Sequence, residues 1–366
     1  MKIHVWSPEF SAFGGGIAAA AREAARALVA SGHEVEAFGK ADTSGWIHGA
    51  ALRGAGVVPS HVRSVVFAAT VAVQAISKRP DCVLCLHVNH GPVARTVQRV
   101  RGTNYVIVAH GVEIAASLSA SRMRSLRAAR RIIAVSAWTT DRLVKLGISS
   151  DRVVVIPNTF DDERYAVRPK ADALRARYRI ASDAPVVVTV SRLSYADAYK
   201  GVDRLIQAFR DVRARILDAR LLIVGDGDDA ARLRRLAESI GVADAVTFSG
   251  FVSDAELPDH YRLGEVFALP STGEGFGIVF LEAMGCGTPV LGGNRDGSVD
   301  ALEGGKLGLL VDPLRTSDIA GGLIALLQRQ GDPTWFDRAA LHARVTSAFG
   351  RDAYTRRLSA VMSTVH

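Results

Sequence analysis

Residues 270–293 read Pro270-Ser-Thr-Gly-Glu274-Gly-Phe276-Gly-Ile278-Val279-Phe-Leu-Glu282-Ala-Met-Gly285-Cys-Gly287-Thr-Pro289-Val-Leu-Gly-Gly293. The apolar run Val266 to Leu269 in front of them predicts a strand, and Pro270 to Gly275 a glycine-rich turn. Gly277 to Met284 predicts a helix stopped by Gly285 and Gly287, and Pro289 to Leu291 opens the next strand. A strand–glycine turn–helix unit puts backbone N–H groups and a helix N-terminus where an anion can sit. Glu274 lies in the turn and Glu282 on the helix, about 12 Å apart at the helical rise. One acid could meet each end of an elongated ligand whose charged middle lies over the amides. The plainer reading is also open: the unit is common in α/β proteins, and Glu282 could be a solvated helix residue. Glu274, among glycines at a strand end, sits where α/β folds bind ligands.

The length of 366 residues suggests two domains, and 48% hydrophobic residues suffice for two cores. Three cysteines and no leader-like start point to a reducing, cytoplasmic location. Val65 to Ile76, the longest apolar region, is too short to span a bilayer. Residues 1–150 carry 18 Lys and Arg against 8 Asp and Glu, a net of +10, and residues 151–366 carry 27 against 29, a net of −2. A basic first half favours an anionic partner; an arginine-rich composition of genomic origin is the alternative.

Outward from the central stretch, the first half begins as a βαβ unit. Lys2 to Trp6 is a strand, Pro8 to Gly16 a loop ending Gly14-Gly15-Gly16, Ile17 to Ala30 a helix, and Glu34 to Phe38 a strand. The loop lacks the G-x-G-x-x-G dinucleotide fingerprint, yet its glycines allow close ligand approach. Ser64 to Ser77 reads as a helix and Cys82 to His87 as a strand, on which Cys82 and Cys85 point to opposite faces and make a poor metal or redox pair. The strand Tyr105 to Ala109 runs into His110-Gly111-Val112-Glu113, which places His110 either for chemistry or as a packed histidine. Arg122, Arg124, Arg127, Arg130 and Arg131 form a basic patch with little aromatic interleaving, so no nucleic acid partner is expected.

In the second half, Val186 to Val190 is a strand followed by Ser191-Arg192-Leu193, a spacer, and Lys200-Gly201 before a helix from Arg204. Two cations at a strand end and a helix start suit a diphosphate, though surface charges would look the same. Gly225-Asp226-Gly227-Asp228 contains D-x-D, read as a turn and not a metal site. Val246 to Val252 and Gly308 to Pro313 follow as further strand segments.

The string from Glu274 to Val290 closely resembles the E-x7-E signature of the retaining glycosyltransferases of family 4, whose fold is GT-B. The Gly14–Gly16 loop, His110-Gly111, Pro157-Asn158, Ser191-Arg192-Leu193 with Lys200-Gly201, Phe248-Ser-Gly-Phe-Val252 and Gly308-Leu-Leu-Val-Asp-Pro313 resemble further family motifs in order. The spacer Ser194 to Tyr199 is longer than the common form. The resemblance implies an α/β, GT-B architecture with two Rossmann-like domains facing each other across a cleft. Residues 1–164 would bind the acceptor, 165–346 the nucleotide-sugar, and 347–366 would form a helix returning to the first domain.

The same resemblance implies a hexosyltransferase that works with retention and without a metal or cofactor. Arg192, Lys200 and the amides after Phe276 would hold the diphosphate, Glu274 the sugar hydroxyls, Glu282 the ribose, and His110 the sugar near its reacting carbon. Gly15, Gly16, Val252, Gly275, Gly277, Ile278 and Val279 would complete donor binding, and same-face attack is the expected chemistry. GDP-mannose is the first expected donor and UDP-glucose the second. The implied acceptor is a glycan, lipid-linked, in bacterial exopolysaccharide or O-antigen synthesis, with the basic half resting on the anionic inner face of the cytoplasmic membrane. Two rivals are another GT-B nucleotide-sugar enzyme, an epimerase or hydrolase, and a non-catalytic sugar-nucleotide-binding scaffold.

Overall fold

The computed structural model describes residues 1–11, 15–115, 118–170 and 172–365. They divide into two compact units, Met1–Phe160 with Phe349–His366, and Asp161–Ala348.

The first unit is built on β1 (Lys2–Ser7), β2 (Glu34–Gly39), β3 (Gly45–Ile47), β4 (Ala50–Gly54), β5 (Cys82–Cys85), β6 (Asn104–Ala109), β7 (Arg131–Ala134) and β8 (Val153–Val155). Their order is β3-β4-β2-β1-β5-β6-β7-β8, parallel except for the antiparallel β3–β4 pair at one edge. The central strands are buried almost throughout, as expected of a parallel sheet covered on both faces. Trp6, Phe38, Val83 and Tyr105 share a core with Phe67, Val71 and Ala75 of the helix Ser60–Lys78 and with Ala94 and Val97 of the helix Gly91–Arg101. The helix Gly15–Ala30 is bound to the C-terminal helix Arg351–Met362 by a bidentate Arg351–Glu23 pair at 2.8 and 2.9 Å and by Ser31 and Ser359 hydroxyls 2.7 Å apart. The first helix starts at Gly15, two residues before Ile17, so Gly15 and Gly16 belong to the helix and are not loop residues, while Gly14 lies outside the described residues. Cys82, Cys85 and Cys286 are all buried free thiols.

The second unit carries β9 (Val186–Val190), β10 (Arg220–Val224), β11 (Val246–Gly250), β12 (Val266–Leu269), β13 (Val290–Gly293) and β14 (Leu309–Val311), all parallel, in the order β11-β10-β9-β12-β13-β14. β9 is Val-Val-Val-Thr-Val, a β-branched run suited to a central strand. On the helix Val202–Arg215, Val202, Leu205, Ile206, Phe209 and Val212 recur at helical spacing and are buried. They share a core with Ile319, Leu323 and Leu326 of the helix Thr316–Leu327. Each large side chain so buried contributes roughly 1.5–3 kcal/mol. The chain leaves β9 toward β10 on one side and returns through β12 on the other. The C-terminal ends of β9 and β12 thus form a topological switch point, the place where open α/β sheets bind ligands.

No helix among the described residues is long and apolar enough to cross a membrane.

Candidate functional site

Both segments singled out in the second half emerge at this switch point. β9 delivers Ser191 and Arg192, and β12 delivers Pro270 to Glu274. Between Arg192 and the next helix the chain makes a 3-10 turn, Tyr195–Lys200, ended by Gly201 at φ +75°. Gly201 is needed twice over, because a Cβ there would stand 2.3 Å from the Pro270 carbonyl oxygen in addition to the left-handed backbone. The closeness lets the Thr272 N–H donate to the Tyr199 carbonyl at 2.9 Å and Arg204 donate to the Pro270 carbonyl at 3.3 Å. The Lys200 ammonium consequently lies 3.7 Å from Oε2 of Glu274. That oxygen is buried and has no hydrogen-bond partner among the described residues. A charge pair too long for a hydrogen bond, with one oxygen unsatisfied, leaves both groups available to a polar ligand.

The Glu274 turn is braced from below by Asp296, only 2% exposed, in the loop after β13. Its Oδ2 accepts from the Glu274 N–H and the Ser271 hydroxyl, each at 2.7 Å, and Oδ1 accepts from the Ser298 N–H at 3.0 Å. The next residue, Gly297, donates to the Glu274 carbonyl at 2.9 Å, so close to the turn that a Cβ would stand 2.1 Å from the Gly275 oxygen. Sequence reading missed Asp296; the Asp-Gly pair following a strand end is the signal that could have found it.

Gly277 caps the helix Ile278–Gly285. Ile278 and Val279 stand in its first turn, where N–H groups lack intrahelical acceptors and the helix dipole favours an anion. Glu282 sits further along, and the solvated alternative for it does not hold. The hydroxyl of Tyr261, itself fully buried, donates to its Oε2 at 2.7 Å, and Tyr165 is a second phenol on the same carboxylate. Burial raises its pKa, with Asp254 adding to the effect, while the two phenols and Arg164 oppose it.

Arg192 is not a bare cation. Its Nε and Nη2 donate to Oδ2 and Oδ1 of Asp197 at 2.5 and 3.2 Å. The Asp197 side chain is 6% exposed and that of Arg192 75%. Burial, followed by the charges of Glu274 and Asp197, raises the Tyr199 phenol pKa. Tyr199 lies directly under Gly273, where a Cβ would be 3.2 Å from the ring. Asp226 and Asp228 turn to backbone: Asp226 accepts from the Gly227 N–H at 2.8 Å and Asp228 from the Tyr195 N–H at 3.1 Å. Val252 follows the end of β11, part-buried, beside Phe251, which is 65% exposed.

In the first unit His110 follows β6 and is buried, its Nε2 3.0 Å from the Leu86 carbonyl. A carbonyl only accepts, so Nε2 carries a proton and donates to it. The His110 N–H donates to Oε1 of Glu113 at 2.7 Å, and Oε2 of Glu113 is buried without a hydrogen-bond partner among the described residues. His87, whose Nδ1 accepts from the Asn89 N–H at 3.1 Å, is pushed down to about 4 by burial. Arg122, Arg124 and Arg127 lie on the short helix Ala120–Ala128, with Arg130 and Arg131 just beyond.

Two α/β units with parallel sheets define the class of this protein, the GT-B fold. The Anabaena protein HepE in complex with UDP-glucose superposes with a TM-score of 0.82 at 22% identity, over 100% of each chain. The family description "Glycosyltransferase Family 4" matches residues 14–164, and "Glycosyl transferases group 1" matches residues 170–342. The GDP-mannose-dependent alpha-(1-6)-phosphatidylinositol monomannoside mannosyltransferase of Mycobacterium tuberculosis is 36% identical over 251 residues, 64% of either chain. The D-inositol 3-phosphate glycosyltransferase of Rhodococcus jostii is 36% identical over 209 residues, 55% of this chain and 45% of that one. The chain belongs to the family 4 glycosyltransferases of GT-B fold. It spans less than two thirds of the length of these curated relatives.

Proposed function

We infer that the protein is a retaining hexosyltransferase that uses a nucleotide-diphosphate sugar without a metal. The observation that carries this reading is the Lys200–Glu274 pair at 3.7 Å on the switch point of the second unit, with an unsatisfied carboxylate oxygen. Mannose from GDP-mannose is the first donor, supported by the 36% identity to an enzyme described as GDP-mannose-dependent. Glucose from UDP-glucose is the second, supported by the HepE complex.

Lys200 and Arg192 hold the diphosphate together with the amides of Gly275 to Val279, and stabilise the charge that builds on the leaving phosphate. Glu274 accepts from sugar hydroxyls, Glu282 from the ribose, and Val252 with Phe251 meets the base. Gly15 and Gly16 contribute to donor binding. His110 supports the sugar near its reacting carbon. The acceptor's hydroxyl attacks from the face the nucleotide leaves, and the departing phosphate takes its proton. The acceptor is a glycan, lipid-linked, and the arginines from 122 to 131 rest on anionic lipid at the inner face of the cytoplasmic membrane.

The test is transfer from GDP-mannose and UDP-glucose, with chelator present, to a panel of glycans and polyprenyl- or inositol-linked lipids, the product anomer being read by NMR. An α-linked product from an α-donor supports the reading. Inversion overturns retention, and donor turnover without an acceptor moves the protein to the epimerase or hydrolase reading.

A further inference from the structure

The spacer between the two candidate phosphate-binding cations is longer than the family's common form, and the structure shows what the extra residues build. They form the turn Tyr195–Lys200, which carries Asp197 inward to 7% exposure directly under Arg192. Both carboxylate oxygens of Asp197 face the guanidinium, through Nε at 2.5 Å and Nη2 at 3.2 Å. The turn is pinned at three points. Asp228 accepts from the Tyr195 N–H at 3.1 Å, the Tyr199 carbonyl accepts from the Thr272 N–H at 2.9 Å, and the Tyr199 ring underlies Gly273. Asp197 is thus a fixed acid holding the guanidinium of a long, 75% exposed side chain.

We propose that Asp197 is a positioning residue that fixes the plane of the Arg192 guanidinium at the end of β9 for a diphosphate. This rests on the donor-site reading given above. Bidentate pairing occupies one edge of the planar fork and leaves its orientation set before a ligand arrives, which reduces the ordering that binding would otherwise require. A competing effect runs the other way. The Asp197 carboxylate repels a phosphate held at the same guanidinium. Pairing with Arg192 turns most of that charge into a local dipole, so the positioning effect decides the sign.

A double-mutant cycle on the full chain tests this, with GDP and UDP as calorimetric probes. Asp197→Asn is expected to weaken the nucleotide that wild type binds about tenfold. Arg192→Lys, which keeps the charge and loses the bidentate fork, is expected to do the same. The double variant should bind within about threefold of either single one. Asp197→Ser, which removes the carboxylate without adding an amide donor, replaces Asp197→Asn if that variant fails to fold. Unchanged or tighter binding by the Asp197 variant, or losses that multiply in the double variant, overturns the inference alone. No binding of either nucleotide by folded wild type overturns the donor-site reading and the inference with it.

Discussion

The backbone N–H of Glu274 donates to the carboxylate of Asp296 at 2.7 Å, so a residue beyond β13 holds the turn beyond β12. The Asp296 carboxylate accepts from the Ser271 hydroxyl and from two backbone N–H groups. Removing it orphans three donors in a buried place. Asp296→Ala should therefore destabilise the second unit by about 3 kcal/mol, since each hydrogen bond to a charged group is worth roughly 1.5–3 kcal/mol and losses within one network overlap. Chemical denaturation checks this, and a change under about 1 kcal/mol would contradict the bracing role.

Two glycines of the second unit should behave oppositely. At Gly297 a Cβ meets the Gly275 oxygen at 2.1 Å, so Gly297→Ala must push the Glu274 turn and is expected to lower nucleotide-sugar affinity at least tenfold. Gly321 lies inside the helix Thr316–Leu327 with nothing within 4 Å of the added atom. Gly321→Ala should raise stability by about 0.5–1 kcal/mol and leave affinity unchanged. Calorimetry and thermal unfolding of the two variants separate these outcomes.

The stability of the first unit should fall in mild acid. Burial pushes His4 down to about 4; Glu36, 3.5 Å away, opposes this, and Lys78, Lys2 and Arg53 reinforce it. His87 is also pushed to about 4 by burial, against Glu113 and with His110, Arg122 and Lys40, and His90 to about 3 by burial with His87 and Lys40. Folded values below the unfolded 6.5 mean that the unfolded chain takes up protons first. Their contribution is complete above pH 6.5 and is lost as the pH falls toward 4 and below, about 3 kcal/mol for His87 alone. Denaturation of wild type and His87→Gln between pH 7.5 and 4.5 should show a shallower decline in the variant. Parallel curves would refute the assignment.

The Arg351–Glu23 pair joins the C-terminal helix to the first helix with side chains only 12% and 10% exposed. Glu23→Ala should cost about 3 kcal/mol, because it leaves a buried guanidinium without its carboxylate. The Arg295–Asp312 pair, 50% and 21% exposed, is the control, and Arg295→Ala should cost far less than Glu23→Ala because solvent screens it. Equal costs would mean that the tail helix contributes little to the first unit.

The sequence made the strand–turn–helix around Glu274 legible because an apolar run, a glycine cluster and a second apolar run follow one another within two dozen residues. Arg192 and Lys200 were legible for the same reason, as cations next to a strand end and a helix start. Asp197, Asp296 and Tyr261 were not. Asp197 meets Arg192 only because the turn Tyr195–Lys200 folds back on the end of β9. The other two act on residues brought to them by the fold: Asp296 reaches Glu274 from β13, and Tyr261 reaches Glu282 from the preceding helix. No local pattern encodes such a meeting. The hairpin of β3 and β4 escaped reading because Gly45–Ile47 is three residues long and shows no alternation to recognise. The first helix was placed two residues late because Gly15 and Gly16 are poor helix formers whose position at the helix start is decided by the fold and not by propensity.

The most direct measurement of the central claim is calorimetric titration of the full chain with GDP-mannose, GDP, UDP-glucose and UDP in the presence of chelator, repeated with Lys200→Ala. One base should bind as both sugar nucleotide and diphosphate, one to one, with affinity lowered at least tenfold in the variant. Folded protein that binds none of the four, or a variant that binds as wild type does, would contradict a diphosphate site at the Lys200–Glu274 pair.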